Sequence, residues 1–494
     1  MKLNLQEWII EADMTSMQAA MEAGTLTSEE LVQAYLDRIH RYDPNINSIL
    51  EINPDAIQAA RDLDKERKEL GSRGRLHGIP LLLKDNIDTG DVMHTSAGSI
   101  ALAESFAAAD SFVAAKLRAA GAVFLGKTNM TEWSNFMSSR MPAGYSSRGG
   151  LVLNPYGPGE IFISGSSSGS AAAIAANLGA AAIGTETAGS IVGPASQNCL
   201  VGIKPTVGLV SRSGIIPISS SQDTPGPIAR TVKDAAILLG ALTGVDDKDE
   251  ATIASGNRAF QDYTPFLDVN FIRQARIGIP RHYYKDLDEE RLAIMEAAIS
   301  ALKNEGATII DPVTLHIESH NWNNDVITYE FKRDLNEYLS KLADSSPIHS
   351  LAQLIEYNEK NAELALKYGQ DTLIRSEETT LNEQAYLMKK EAYLELPRKH
   401  GIDHALETYS LDALMLPGDV DGMYIAARLG YPLISVPAGY SSNGVMDSDG
   451  DCTKGPFGVV FSGKAFSEPT LIQIAYGFEQ ATRHRFPPPM DSTG

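Results

Sequence analysis

The sequence predicts an α/β fold on a central sheet, in a single domain with a helical insertion. Three observations carry this. Between about residues 78 and 240, short apolar runs alternate with alanine-rich helical stretches. Between about 285 and 410, charges rise, glycine falls and helical periodicity takes over. From 411 onward, strand-like apolar runs return. No Pro/Ser-rich linker and no internal repeat divides the 494 residues, which favours one sheet resumed after an excursion over two independent domains.

The elements follow in order. Residues 1–70 read as an N-terminal helical segment. Thr27-Ser28-Glu29-Glu30 has capping-box spacing, and Leu31, Tyr35, Leu36 and Ile39 then recur at helical intervals. Residues 71–240 form the core. Runs at 78–83 and 123–125 look like buried strands, with a helix over 111–120 feeding the second. A helix over 171–178 and a short strand over 180–184 follow. Within the insertion, 289–303 and 352–366 show helical periodicity, and the region from about 315 to 410 is expected to wall a pocket. Residues 411–494 continue the sheet with strands at 413–416, 433–436 and 458–461, and a last helix over 469–482.

Composition narrows the function. Hydrophobic residues are 43% and charged residues 21%, enough for a packed core. The formal net charge is −21, which repels phosphate backbones and disfavours nucleic-acid binding. Cys199 and Cys452 are the two cysteines, too few for a disulfide framework or a Cys-rich zinc site, and two free thiols are expected. No basic region precedes an apolar stretch at the N-terminus, and the longest low-polarity run, 170–182, contains Asn177. The expectation is a cytoplasmic protein with no membrane span.

Lys84 ends the apolar run Pro80-Leu81-Leu82-Leu83. Burial there would lower its pKa, and a neutral lysine is a base. Snorkelling out of the strand end, or pairing with Asp85, fits the position as well. Ser190 follows Thr187-Ala188-Gly189, small residues whose amides can face a developing oxyanion; an ordinary tight turn has the same composition. Ser166 lies in Ser164-Gly165-Ser166-Ser167-Ser168-Gly169-Ser170, where a serine can relay a proton between Lys84 and Ser190 or simply cap the following helix. Three decoys accompany these. Gly165-Ser166-Ser167-Ser168-Gly169 matches a nucleophile elbow, with 161–163 as the strand, Ser167 as nucleophile and His400 or His404 downstream. That reading leaves Lys84 and Ser190 unexplained. Ser300-Ala301-Leu302-Lys303 has no companion motif. Asp447-Ser448-Asp449-Gly450-Asp451 lacks the glycine spacing and terminal glutamate of a calcium loop.

Taken together, six segments resemble the amidase signature family. They are Gly78-Ile79-Pro80 through Lys84-Asp85-Asn86, Lys127-Thr128-Asn129, the Gly165 to Ser170 run, the Thr187 to Ser190 turn, Gly202-Ile203-Lys204-Pro205-Thr206-Val207-Gly208, and Asp223-Thr224-Pro225-Gly226-Pro227-Ile228-Ala229-Arg230. The resemblance implies a large mixed central β-sheet surrounded by helices. It also implies a Ser-cisSer-Lys triad, with Ser190 as nucleophile, Ser166 as relay after a cis peptide bond, and Lys84 as base. Thr187, Ala188, Gly189 and Ser190 would supply the oxyanion hole. No metal and no organic cofactor are implied. Ala188 stands where many members have glycine, and Gly193 where many have arginine, which weakens any transfer of substrate preference. Tyr329-Glu330-Phe331-Lys332, Gly369-Gln370 and Tyr476-Gly477-Phe478-Glu479-Gln480 look most like the peptide-amidase branch, although each also reads as helix packing. The expected activity is hydrolysis of carboxamides, including peptide C-terminal amides, by a monomer or homodimer whose partner is a small-molecule amide or short peptide amide. An aryl-amide or carbamate hydrolase is the near alternative. The remoter ones are a Ser167-centred hydrolase and the ammonia-releasing component of a tRNA-dependent amidotransferase.

Overall fold

The chain enters its sheet with β1 (Ile49–Ile52), β2 (Pro80–Lys84) and β3 (Val123–Thr128). A separate two-stranded hairpin, β4 (Tyr145–Ser146) with β5 (Gly150–Leu151), comes next. The sheet then continues through β6 (Ala181–Glu186), β7 (Val201–Lys204), β8 (Thr224–Ala229), β9 (Arg276–Gly278) and β10 (Thr308–Ile310). It closes with β11 (Ala413–Pro417), β12 (Leu433–Ser441) and β13 (Gly455–Ser462). The computed structural model describes residues 4–317, 323–418, 422–445 and 453–490. Within these, eleven strands form one mixed sheet in the order β1-β3-β2-β6-β8-β7-β12-β13-β11-β9-β10.

Burial explains why the central strands read as unbroken apolar runs. Every residue of β2, β3 and β6 is buried. Successive side chains point to opposite faces, so both faces must be covered. The alanine-rich helix Ser168–Ala175, itself buried throughout, packs on β6 and β2. Helix Val232–Leu242 packs on β8, and helix Glu468–Thr482 on β12. The capping box forms as its spacing predicts: Thr27 accepts from the Glu30 amide, and the Glu30 carboxylate accepts from the Thr27 amide at 2.9 Å.

The stretch 285–410 needs a correction. Its first part belongs to the sheet: helix Glu289–Asn304 connects β9 to β10, which pair in parallel. The helices that leave the sheet begin at Asp325. Their apolar faces, including Ile327, Phe331, Leu335, Leu351, Leu354 and Leu373, meet Met130, Trp133, Met137, Ile216 and Ile218 in a second core. The helix expected over 352–366 is broken, running as Leu351–Lys360 and then Ala362–Ala365. Asn361 makes the break, its side-chain amide donating to the Tyr357 carbonyl at 2.8 Å. Among the described residues no helix is long and apolar enough to cross a membrane.

Candidate active site

Parallel pairing brings the lysine and the serine turn to one end of the sheet. β2 and β6 are neighbours with Leu83 opposite Ile183, so Lys84 lies level with Gly184 and beside Thr185. The turn 187–190 leaves the same end of β6. The serine run sits above both, because the helix Ser168–Ala175 starts three residues earlier than the sequence suggested. Gly184 makes the approach possible: a Cβ there would lie 2.8 Å from the Ser167 hydroxyl.

Lys84 is fully buried, and its amine is ringed by oxygen. Nζ lies 2.7 Å from Ser166 Oγ, 3.0 Å from Ser167 Oγ, 3.0 Å from Thr185 Oγ1 and 3.2 Å from the Thr185 carbonyl. It neither snorkels nor pairs with Asp85. That carboxylate instead takes the Ser96 hydroxyl and the Gly98 amide, and meets Arg148 at 3.5 Å. Burial lowers the Lys84 pKa to about 7, against the opposing pull of Asp223 and Glu186.

The neighbours constrain where protons sit. The Ser167 hydroxyl donates to the Thr185 carbonyl at 3.1 Å and accepts from the Thr185 amide at 3.2 Å. Toward Lys84 it therefore accepts, as does the Thr185 carbonyl. These two acceptors use the two N–H bonds of a neutral amine, and its lone pair is left facing Ser166 Oγ and Thr185 Oγ1. Ser166 is the nearer, and it lies in the loop tied to the serine turn.

The peptide bond between Gly165 and Ser166 is cis. The next residue, Ser167, donates its amide to the Ser190 carbonyl at 3.2 Å, joining the two loops. Ser190 lines a cavity of about 340 Å³ with Thr187, Ala188, Gly189, Phe136 and Met423. The Ser190 hydroxyl has no hydrogen-bond partner among the described residues, Ser166 included. The amides of Thr187, Ala188, Gly189 and Ser190 likewise meet no acceptor there, so four consecutive donors remain unused beside the serine. Gly189, with φ of +86°, makes this turn, whereas Ala188 keeps a negative φ. A Cβ on Gly189 would also lie 2.8 Å from Met423 Cε. Gly189→Ala is expected to lower kcat about 10²-fold by displacing the amides, with the far-UV circular dichroism unchanged.

The decoys separate on geometry. Residues 161–163 form no strand, and Ser167 has its hydroxyl committed to Thr185. Among the described residues no histidine lines the cavity; His404 lies against His316, ring centroids 5.6 Å apart. The Ser300 hydroxyl donates to the Glu296 carbonyl within its own helix. Cys199 is a buried free thiol, while Cys452 and the 447–451 stretch fall outside the described residues. Among the described residues no group of three or more His, Cys, Asp or Glu side chains could hold a metal ion.

From the helical insertion, Asn324 and Ile327 reach the cavity. Met423, Tyr424 and Arg428 also line it. They come from helix Gly422–Arg428, within the segment read as strands, and sequence reasoning missed them. Phe331 backs the wall through Phe136, ring centroids 4.8 Å apart. Gln370 binds Asn358, and Phe478 packs on Phe461.

A family model described as Amidase matches residues 30–472. This chain belongs to the amidase family. A probable amidase of Arabidopsis thaliana is 42% identical over 97% of this chain and 92% of its own. The native peptide amidase of Stenotrophomonas maltophilia is 43% identical, covers 98% of this chain and 99% of its own, and superimposes with a TM-score of 0.88. A putative amidase of Schizosaccharomyces pombe is 35% identical over 97% of this chain and 86% of its own. The family membership makes this protein an amide hydrolase, and its large mixed sheet is the one found in the solved peptide amidase.

Proposed function

We propose that Ser190 is the nucleophile, Ser166 the proton relay and Lys84 the base in hydrolysis of carboxamides, including peptide C-terminal amides. The observation that carries this is a fully buried lysine amine 2.7 Å from Ser166 Oγ, one residue from the contact that holds the Ser190 turn. The Ser190 Oγ attacks the amide carbonyl carbon. Its proton passes to Ser166 Oγ as the Ser166 proton passes to Lys84 Nζ. The amides of residues 187–190 receive the oxyanion. The proton then returns through Ser166 to the leaving nitrogen, the C–N bond breaks, and water cleaves the acyl-enzyme by the reverse relay. The Ser166–Ser190 hydrogen bond closes when substrate docks, as catalytic hydrogen bonds commonly tighten on binding.

The substrate assignment draws on the likeness to the peptide amidase along the whole chain. The cavity suits a small amide or the end of a peptide. The purified chain, without a partner protein, is expected to release ammonia from peptide C-terminal amides and simple carboxamides faster than it cleaves anilides or carbamates. Preferred turnover of anilides or urethanes would move the assignment to an aryl-amide or carbamate hydrolase. Ammonia release that needs added partner proteins would point to an amidotransferase.

A further inference from the structure

We propose that Glu186 and Asp223 clamp the turn 187–190 from its two ends, as positioning residues for the four amides beside Ser190. This rests on the reading of Ser190 as nucleophile and of those amides as oxyanion donors.

Glu186 is the last residue of β6 and is 1% exposed. Its Oε2 accepts from the Ile191 amide at 2.7 Å and the Val192 amide at 3.0 Å. One carboxylate thus reaches across the whole turn, from the residue before it to the two after it. Helix Val192–Gln197 begins there, and its first amides need acceptors from outside the helix. The Gly193 amide goes to the Gly189 carbonyl at 2.8 Å. The amides after the turn are therefore occupied while those within it stay open.

Asp223 holds the other end. Its Oδ1 accepts from the Thr187 hydroxyl at 2.5 Å. Its Oδ2 accepts from the amides of Ile218 and Ser219 at 2.7 and 2.8 Å, which anchors the carboxylate to its own loop. The neighbouring Gln222 donates its side-chain amide to the Thr187 carbonyl at 3.1 Å. The turn is fixed at residue 187 from one loop and at residues 191 and 192 from its own strand.

The clamp also carries charge close to the base. Lys84 of β2 is faced by Asp223 from the 218–223 loop and by Glu186 from β6. Lys204 of β7 feels both carboxylates and Glu468 of the last helix. Both clamp carboxylates favour the ammonium form of Lys84. Removing either one makes Lys84 easier to deprotonate.

Geometry and charge can be separated in the full-length enzyme. Glu186→Gln removes the charge and keeps the side-chain length. It is expected to lower kcat about 10²-fold with KM within about twofold, and to move the acid limb of kcat/KM to lower pH. Glu186→Asp keeps the charge and draws the oxygens back by one methylene; kcat should fall similarly with the limb unmoved. Asp223→Asn should move the limb in the same direction as Glu186→Gln, and Asp223→Ala, which removes the Thr187 contact, should lower kcat about 10²-fold with KM within about twofold; that fall in kcat decides the question alone if neither Glu186 variant folds by thermal melting. Full kcat in Glu186→Gln or in Asp223→Ala overturns the clamp. If Ser190→Ala still turns over, the assignment beneath it is wrong. If Ser190→Ala is dead and Glu186→Gln is unimpaired, only the clamp is wrong.

Discussion

Ser190→Ala is expected to lower kcat by about 10⁶-fold, the scale seen when a serine hydrolase loses its nucleophile. Ser167→Ala is expected to stay within about 10²-fold of the parent. The contrast follows from where each hydroxyl points. Ser190 lines the cavity with an uncommitted hydroxyl beside four unused amides. Ser167 is fully buried, with its proton on the Thr185 carbonyl. Its loss would leave the Thr185 amide and one Lys84 N–H without their acceptor. Each unsatisfied buried group costs about 1–3 kcal/mol, which distorts the base without removing it. Steady-state rates on a peptide amide check both variants, and a fluorophosphonate probe should label the parent at Ser190. A dead Ser167→Ala enzyme beside an active Ser190→Ala enzyme would restore the nucleophile-elbow reading.

The parts of this site that were legible in the sequence are those whose chemistry is local. Lys84 ends an apolar run, and such a run is a buried strand, so the strand was legible; that the amine stays inside was not, because a strand-end lysine can equally snorkel out, and the oxygens of Ser166, Ser167 and Thr185 that hold it come from distant segments. The small residues before Ser190 announced a tight turn. Glu186 and Asp223 were not legible as a pair. They act on one turn from positions 37 residues apart in sequence, and only the pairing of β6 with β8, with Glu186 opposite Thr224, brings them together. Met423, Tyr424 and Arg428 were missed because nothing in a short helix between strands marks a pocket wall. β10 was missed because three residues beside a long amphipathic helix carry no periodicity of their own. In the sheet, the apolar runs marked β2, β6 and β11 closely but only parts of β3, β12 and β13, and they left β7 and β8 unread although both are buried throughout, because glycines, prolines and polar ends interrupt the apolar signal there. Its edge strands, exposed in part, leave a weaker one.

Lys84→Met is expected to be inactive and, at neutral pH, no less stable than the parent. The folded pKa of Lys84 is about 7, against 10.5 for the free side chain. At pH 7 the unfolded chain carries that proton almost fully and the folded chain only half the time, a difference that costs the fold about 4 kcal/mol. Methionine removes this cost, while leaving the Ser166 and Ser167 hydroxyls and the Thr185 hydroxyl and carbonyl each short of one partner. The sign over pH follows from proton counts. Between pH 7 and 10.5 the unfolded parent binds more protons than the folded one, so the parent gains stability as pH rises through that window. The advantage of Lys84→Met should therefore be largest near pH 7 and shrink toward pH 10.5, as melting temperatures across that range would show. Activity obeys the same titration. The base works only when neutral, so kcat/KM of the parent should climb with pH through about 7 and level off above it. A flat profile between about pH 6 and 8, or a Lys84→Met enzyme that retains turnover, would show that the proton of Ser166 goes elsewhere. Stability and rate then report one fact from two sides: a lysine that weakens the fold by staying neutral is the lysine that can take a proton near neutral pH.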